Sequence, residues 1–186
     1  MKIKNVNVYG LDNAVRVAKF PMTKDAEEVN SDILNITNTL GAAKIGSGHN
    51  NFLKGIIVQF DLTVSIKLWT EAERYHWFEI ISSQSTMHSI TKFELTSERF
   101  NSHVDVRAIE LLKDKIALYK KDMSAERYLD VLYNVPVGCN LTAGISTNYL
   151  QLKTIYKQRT NHRLTEWLLF CKWIESLPHS EWITNG

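Results

Sequence analysis

The sequence predicts an α+β fold whose second half is mainly helical. Two segments have strand-like patterns: Lys2–Tyr9 alternates polar and apolar residues, and Gly55–Ile66 is rich in β-branched residues. A third segment, Val104–Lys121, carries apolar residues at helical spacing. A length of 186 residues favours one hydrophobic core over two independent ones, so we predict a single domain over residues 1–186.

The N-terminal third of the chain contains one more predicted helix. Residues Thr23–Leu40 have a helical pattern, with Asp25 and Glu28 spaced as a capping box and Gly41 at the position of a C-terminal glycine. A polar, glycine-rich loop follows at Gly46–Asn51 and leads into the second strand.

From Leu68 onwards the chain is predicted to be built mainly from helices. Leu68–Ile81 is expected to form a helix that enters an irregular loop at Ser82–Ser85. Ser124 is expected to cap a helix that runs through Leu132. The segment Ser146–Leu177 is predicted to be one long helix or two abutting helices.

Composition excludes several classes of protein. The 22 Lys and Arg residues nearly balance the 20 Asp and Glu residues, so no nucleic-acid partner is expected. No leader-like segment and no apolar run of the ~20 residues that span a bilayer is present, so we expect a cytoplasmic protein without a membrane partner. Cys139 and Cys171 lack metal-type spacing and fit a reducing compartment, although a disulfide between them stays open at this point.

Three short segments carry side chains that could do chemistry. His49 lies in a Ser-Gly-His loop, where glycines let backbone N–H groups approach a phosphate. Arg74–Trp77 puts a cation, a phenol, an imidazole and an indole in succession, which fits either a site or an amphipathic interface. The hydroxyls of Ser82–Ser85 could donate to phosphate oxygens or could simply form a turn. No general base is adjacent, so no serine nucleophile is predicted.

A fourth candidate is a polar stripe in the last third of the chain. Arg159, His162, Arg163 and Glu166 are spaced as one helix face, which would either line a cleft or form a solvated surface with an Arg163–Glu166 pair. The sequence has no Walker loop, GxGxxG, HExxH or paired CxxC motif, so P-loop, Rossmann and zinc enzymes are disfavoured and no metal site is predicted.

Taken in order, these segments resemble the flavin-dependent thymidylate synthases, the ThyX family. Ser47–Gly55 is similar to the family's SGHxSPxEH stretch, and Ile56–Phe60 stands where its next strand would be. Tyr128–Leu132 and Thr147–Leu150 resemble the segment that leads into the family's NxR helix. Arg159 falls at the spacing of the family's later, substrate-binding arginine. The resemblance covers nearly the whole chain.

The family's RHR-x7-S signature is broken in this sequence, which would make the chain a divergent member. Without a gap, the signature falls on Arg74–His76 and its serine becomes Gln84. With one inserted residue it falls on Tyr75–Trp77, which keeps the central histidine and places Ser85 at the serine position. Both alignments lose at least one signature arginine.

Other positions of the family pattern are altered as well. Leu150 replaces the NxR arginine, Lys54 and Gly55 replace the Glu and His of the first stretch, and Thr86 or Met87 replaces the arginine after the serine. Guanidinium groups bind phosphates through bidentate, charge-assisted hydrogen bonds, so these losses predict weaker anion binding unless another cation substitutes.

The resemblance implies an architecture, a reaction and a set of site residues. The fold would be a small antiparallel sheet with packed helices and a long helical C-terminal half, assembled as a homotetramer. The reaction would be methylation of dUMP, or a related pyrimidine nucleotide, with methylenetetrahydrofolate as carbon donor and reduced FAD as hydride source. The catalytic residues would be Arg159 and Ser85, and the substrate-binding residues Ser83, Gln84, Ser85 and Arg159. The cofactor-binding residues would be His49, Arg74, His76, Asn148, His162 and Arg163.

Two alternatives stay open. The lost arginines favour a catalytically inactive ThyX scaffold that binds a nucleotide or a protein partner. A changed base pocket would instead suit a pyrimidine hydroxymethylase.

Overall fold

A four-stranded antiparallel sheet forms the centre of the structure, a computed structural model that describes residues 1–186. The strands lie in the order β1-β2-β4-β3, which makes β2 and β4 central and β1 and β3 the edges. Their bounds are β1 Lys2–Tyr9, β2 Ile57–Ser65, β3 Glu79–Ser83 and β4 Asn140–Asn148. The predictions of strands near Lys2–Tyr9 and Gly55–Ile66 are confirmed.

Nine α-helices surround the sheet, most of them in the second half of the chain. They are α1 Leu11–Ala18, α2 Asn35–Ala42, α3 Ile66–Ala72, α4 Thr86–Ser89, α5 Val106–Asp122, α6 Ala125–Leu132, α7 Tyr149–Arg159, α8 Thr165–Ile174 and α9 Glu181–Thr184. The predictions of α5 and α6 are confirmed, and Ser124 caps α6 by accepting a hydrogen bond from the Arg127 N–H. No helix is long and apolar enough to cross a membrane.

Alternation along the central strands sends apolar side chains to one face of the sheet. On β2, Val58, Phe60, Leu62 and Val64 are buried, whereas the residues between them are more exposed. This face and the helices against it form a core of 26 buried residues that includes Trp167 and Phe170 of α8. A second cluster of six buried residues lies under α5 and α6.

The predicted helix over Thr23–Leu40 is wrong for most of its length. Helix α2 begins only at Asn35, and the Asp25 carboxylate accepts from the Glu27 N–H instead of capping a helix. Asp and Asn side chains readily bond the backbone two residues on, which competes with helix formation.

Two other helix boundaries also differ from the prediction. Within the predicted helix Leu68–Ile81 the chain leaves α3 after Ala72, and Glu79–Ser83 forms the edge strand β3. The predicted start at Ser146 is wrong because residues up to Asn148 belong to β4, where they pair with β2. The rest of Ser146–Leu177 does contain two helices, α7 and α8, with a break between them.

The two cysteines are free and buried, so the disulfide left open by the sequence does not form. Burial raises the pKa of the Cys171 thiol to about 11. Neither thiol is therefore a thiolate at neutral pH.

Candidate functional site

Arg159 lies at the centre of a buried polar network that joins three helices. Its Nε–H donates to the Tyr75 hydroxyl at 2.6 Å, and its Nη1 lies 3.4 Å from the Glu71 carboxylate. Its guanidinium carbon is 4.8 Å from the centroid of the Trp167 ring, and the Trp167 indole N–H donates to Glu71 at 3.0 Å. We call Glu71, Tyr75, Arg159, His162 and Trp167 the arginine network.

One nitrogen of Arg159 has no protein partner. Nη2 makes no hydrogen bond, whereas Nε and Nη1 both do. The one fully enclosed side-chain polar atom without a partner is Thr147 Oγ1, so Nη2 reaches the surface. The two N–H groups on Nη2 are the donors that a ligand could meet.

His162 joins the same network from the loop after α7. Its Nε2 lies 2.7 Å from Arg159 Nη1, and its Nδ1 accepts from the Leu164 N–H at 3.1 Å. A neutral imidazole has only one acceptor nitrogen, so the ring cannot accept from both groups. A proton on Nε2 keeps the Leu164 contact and points towards Glu71 Oε2, which is 3.7 Å away.

The environment of Glu71 favours the ionised carboxylate. Burial alone would raise its pKa, but hydrogen bonds from Lys67 and Trp167 and the positive charge of Lys67 leave the pKa below its ordinary value of 4.5. The Lys67 ammonium is 2.9 Å from the second oxygen of this carboxylate.

This pKa shift predicts a pH-dependent contribution of Glu71 to stability. Because this pKa is lower in the folded state, the ionised Glu71 carboxylate stabilises the fold fully above pH 4.5. The contribution is lost as the pH falls through the folded-state pKa. Glu71→Gln resembles the protonated acid, so the difference in unfolding free energy between wild type and variant should shrink as the pH falls below 4.5. Urea titrations across this range measure it, and a difference that did not change with pH would contradict the prediction.

A cleft of about 1060 Å³ opens beside the arginine network. Lys67 connects the two, since it lines the cleft and pairs with Glu71 of the network. Two predicted site residues, Gln84 and Arg163, line the same cleft. Its volume is ample for a nucleotide-sized ligand.

The floor of the cleft includes a buried pair that holds two helix ends together. The Glu166 carboxylate accepts from the Ser65 N–H at 2.8 Å and from the Ser65 hydroxyl at 2.6 Å. The Ser65 hydroxyl in turn caps α3 by accepting from the Leu68 N–H. Glu166 is therefore bonded to Ser65, and the Arg163–Glu166 pair considered from the sequence does not form.

The predicted substrate residues Ser83, Gln84 and Ser85 are contiguous at the end of β3. The Gln84 backbone continues the pairing with β4 by donating to the Thr142 carbonyl at 2.9 Å, and its side-chain oxygen accepts from the Thr142 N–H at 3.0 Å. Ser85 precedes α4 but its hydroxyl makes no capping hydrogen bond, which leaves it available.

The predicted cofactor residues fall into two groups. The side chains of His49, Arg74, His76 and Arg163 are exposed and have no ion pair or hydrogen bond within the chain. Asn148 is buried and caps α7, since its side-chain oxygen accepts from the Gln151 N–H at 2.9 Å. His162 already has a partner within the chain, since its Nδ1 accepts from the Leu164 N–H at 3.1 Å.

The predicted polar stripe is not a continuous helix face. Helix α7 ends at Arg159, His162 and Arg163 lie in the following loop, and Glu166 begins the next helix. The stripe nevertheless brings Arg159 and His162 together, because a three-residue separation is also short across a tight turn.

Sequence reasoning missed Glu71 as the partner of Arg159. The two residues are 88 positions apart, and no local pattern reports such a contact. The available signal was the Lys67–Glu71 spacing, which marks an i,i+4 ion pair but not the network behind it.

Comparisons with known proteins find similarity in structure but not in sequence. No protein-family profile matches the sequence, and no curated protein is similar to it in sequence. A crystal structure of thymidylate synthase X (ThyX) from Helicobacter pylori with FAD and dUMP matches with a TM-score of 0.77 and 16% identity, over 99% of this chain and 97% of that one. The chain has a ThyX-like fold.

Two further solved structures support this assignment. A second Helicobacter pylori ThyX complex with FAD and dUMP gives a TM-score of 0.72 at 16% identity, over 99% and 97% of the two chains. The UMP/dUMP methylase PolB from Streptomyces cacaoi, bound with 5-Br dUMP, gives 0.68 at 14% identity, over 97% and 94%. The predicted α+β fold with a small antiparallel sheet is therefore confirmed.

Proposed function

We propose that this chain binds a pyrimidine nucleotide and methylates it as a ThyX-like flavoprotein, with dUMP as substrate, methylenetetrahydrofolate as carbon donor and reduced FAD as hydride source. The observation that carries the proposal is the fold match over 99% of the chain to a ThyX that holds FAD and dUMP. The similarity to a UMP/dUMP methylase supports a pyrimidine substrate independently.

The exposed nitrogen donors suit the negative charge of the FAD diphosphate. FAD carries a diphosphate, and the unpaired side chains of Arg74, His76 and His49 are nitrogen donors suited to phosphate oxygens. These three residues would hold the cofactor, whose bound form supplies the hydride. The predicted roles of Asn148 and His162 are less suited to this purpose, because both side chains already have partners within the chain.

The substrate would lie in the cleft with its base directed towards the arginine network, which Lys67 connects to the cleft. Arg159 would donate from Nη2 to a pyrimidine carbonyl oxygen and draw electron density from the ring. Ser83, Gln84 and Ser85 would line the nucleotide from the end of β3, since Gln84 borders the cleft and the Ser85 hydroxyl has no capping role.

A homotetramer would complete the sites. The edge strand β3 and its flanks expose Trp77, Ile80, Ile81 and Met87, with the Trp77 side chain 59% accessible. Large apolar side chains gathered on an edge strand are typical of a surface that another chain covers.

A flavin titration followed by a product assay tests the proposal. We expect the chain to retain FAD near 1:1 after desalting and, with methylenetetrahydrofolate and a reductant, to convert dUMP to a methylated product identified by mass. A hydroxymethylated product would change the reaction but keep the site. A folded chain that retains no FAD and does not bind dUMP would contradict the proposal.

The second candidate is a nucleotide-binding protein that has lost methylation. One observation favours it: the Arg159 guanidinium is partly neutralised by Glu71 and packed against Trp167, which reduces its power to polarise a ligand. Binding of dUMP without FAD retention and without turnover would select this candidate.

A further inference from the structure

Most charged side chains that line the cleft have partners within the chain. Lys67 pairs with Glu71, Lys2 lies 3.5 Å from Glu98, and Glu166 is bonded to Ser65. The remaining charges are two arginines, Arg99 and Arg163, and one carboxylate, Glu94. Arg99 and Arg163 are therefore the two cationic side chains of the cleft lining that have no counter-ion within the chain.

Arg99 differs from every other arginine of the chain. Its guanidinium carbon lies 4.3 Å from the centroid of the Phe93 ring, and it forms no ion pair and no hydrogen bond. Arg107, Arg127 and Arg159 all contact carboxylates, and Arg16 donates to the Asn13 side chain.

The two other unpaired arginines, Arg74 and Arg163, are exposed and stack on no ring. Arg99 is half-buried and stacks on the Phe93 ring, which holds the guanidinium in place. It has no counter-ion, so its charge is available to a ligand. A guanidinium fixed on an aromatic face loses less entropy when it binds an anion.

We propose that Arg99, together with Arg163, forms the phosphate-binding end of the nucleotide site in this cleft. The inference rests on the proposed function and assigns the phosphate of the nucleotide to Arg99, which has no role in the ThyX resemblance, and to Arg163, which the resemblance gives to the cofactor. Arg159 is unsuited to a phosphate, because Glu71 would repel a second anion beside it. The phosphate therefore belongs near Arg99 and Arg163, which line the cleft, and not at Arg159, which does not.

Glu94 provides a test of opposite sign. It lines the same cleft and has no cationic partner, so it opposes a bound phosphate. Removing this charge should strengthen phosphate binding, whereas removing Arg99 or Arg163 should weaken it.

Calorimetric titrations of the full chain with dUMP and with deoxyuridine measure the contribution of the phosphate. We express it as the ratio of the dUMP affinity to the deoxyuridine affinity. We expect Arg99→Gln and Arg163→Gln each to lower this ratio by about tenfold or more, as loss of a charge-assisted hydrogen bond does. Glu94→Gln should raise the ratio. Arg107→Gln, whose guanidinium pairs with Asp105 outside the cleft, should leave it unchanged.

The outcomes separate this inference from the proposed function. If the wild-type chain binds dUMP but neither Arg163→Gln nor Glu94→Gln changes the ratio, the phosphate site alone is overturned. Failure of the wild-type chain to bind dUMP at all would overturn the proposed function and this inference with it. Arg163 is exposed and makes no hydrogen bond or ion pair within the chain, so its variant decides the matter even if Arg99→Gln fails to fold.

Discussion

Replacing Arg159 by alanine is expected to lower the free energy of unfolding by about 2–4 kcal/mol. The guanidinium is buried, donates to Tyr75 at 2.6 Å and lies 3.4 Å from Glu71. Its removal leaves the Glu71 carboxylate in a largely buried place with less compensation, and it opens a gap against Trp167. The residue that would anchor the substrate is therefore also a structural residue.

Urea denaturation of matched variants measures this effect. Arg163→Ala is the control, because that arginine is exposed and has no partner in the chain, and it should cost about 0.5 kcal/mol or less. In a double-mutant cycle with Glu71→Gln, the double variant should lose less stability than the sum of the two single variants, since both substitutions break the same contact. Equal stability of the two alanine variants would show that the network contributes nothing to folding.

The structural role of Arg159 determines how the site can be tested. A loss of nucleotide binding in Arg159→Ala does not by itself identify a ligand contact, because unfolding has the same result. Arg159→Lys keeps a positive charge but loses the planar group that donates from three nitrogens. Comparison of binding and stability in both variants distinguishes an anchoring role from a packing role.

Elements with a strong local pattern could be predicted from the sequence. Strand β1 alternates polar and apolar residues on either side of an irregularity between Lys4 and Asn7, and helix α5 keeps apolar spacing over 17 residues. The Ser124 cap was predictable for the same reason, since the N-cap hydrogen bond is made within three residues.

Elements stabilised by distant pairing could not be predicted in this way. The sequence predicts a helix from Ser146, whereas Ser146 and Thr147 pair with Gln59 and Val58 of a strand almost 90 residues earlier in the chain. Residues of β3 are exposed and gain their strand conformation from pairing with β4. A local pattern contains no information on either partner.

The same limit applies to the candidate site. Arg159 and His162 were placed together correctly, because their separation of three residues brings them close in any compact turn. Glu71 and Tyr75 come from another part of the chain, and only the fold brings them to Arg159. Asn148 was assigned to a cofactor from resemblance, whereas its side chain caps α7 in the structure.

Replacing Trp182 by alanine is expected to destabilise the chain by about 3–5 kcal/mol, as truncation of a fully buried aromatic does. The residue lies in α9, a helix of only four residues near the end of the chain, yet its side chain is completely buried. Its indole N–H donates to the Asn38 side chain at 2.9 Å, and its ring contacts Phe52 edge-on with centroids 5.6 Å apart.

The packing around this ring leaves no room for adjustment on the side of α2. A Cβ atom at Gly41 would lie 2.5 Å from Trp182 Cγ, so the helix approaches the indole as closely as a glycine permits. The cavity left by alanine would therefore face a backbone that is held by its own helix, and it could not collapse cheaply.

Chemical denaturation of Trp182→Ala and of Tyr133→Ala provides the comparison. Tyr133 is 86% exposed, so truncation of that aromatic side chain should cost about 1 kcal/mol or less. Trp182→Phe keeps an aromatic ring but loses the bond to Asn38, and it should fall between wild type and alanine. If Trp182→Ala cost no more than Tyr133→Ala, α9 would be detached from the core in solution, and its contacts with α2 and α7 would not contribute to the stability of the fold.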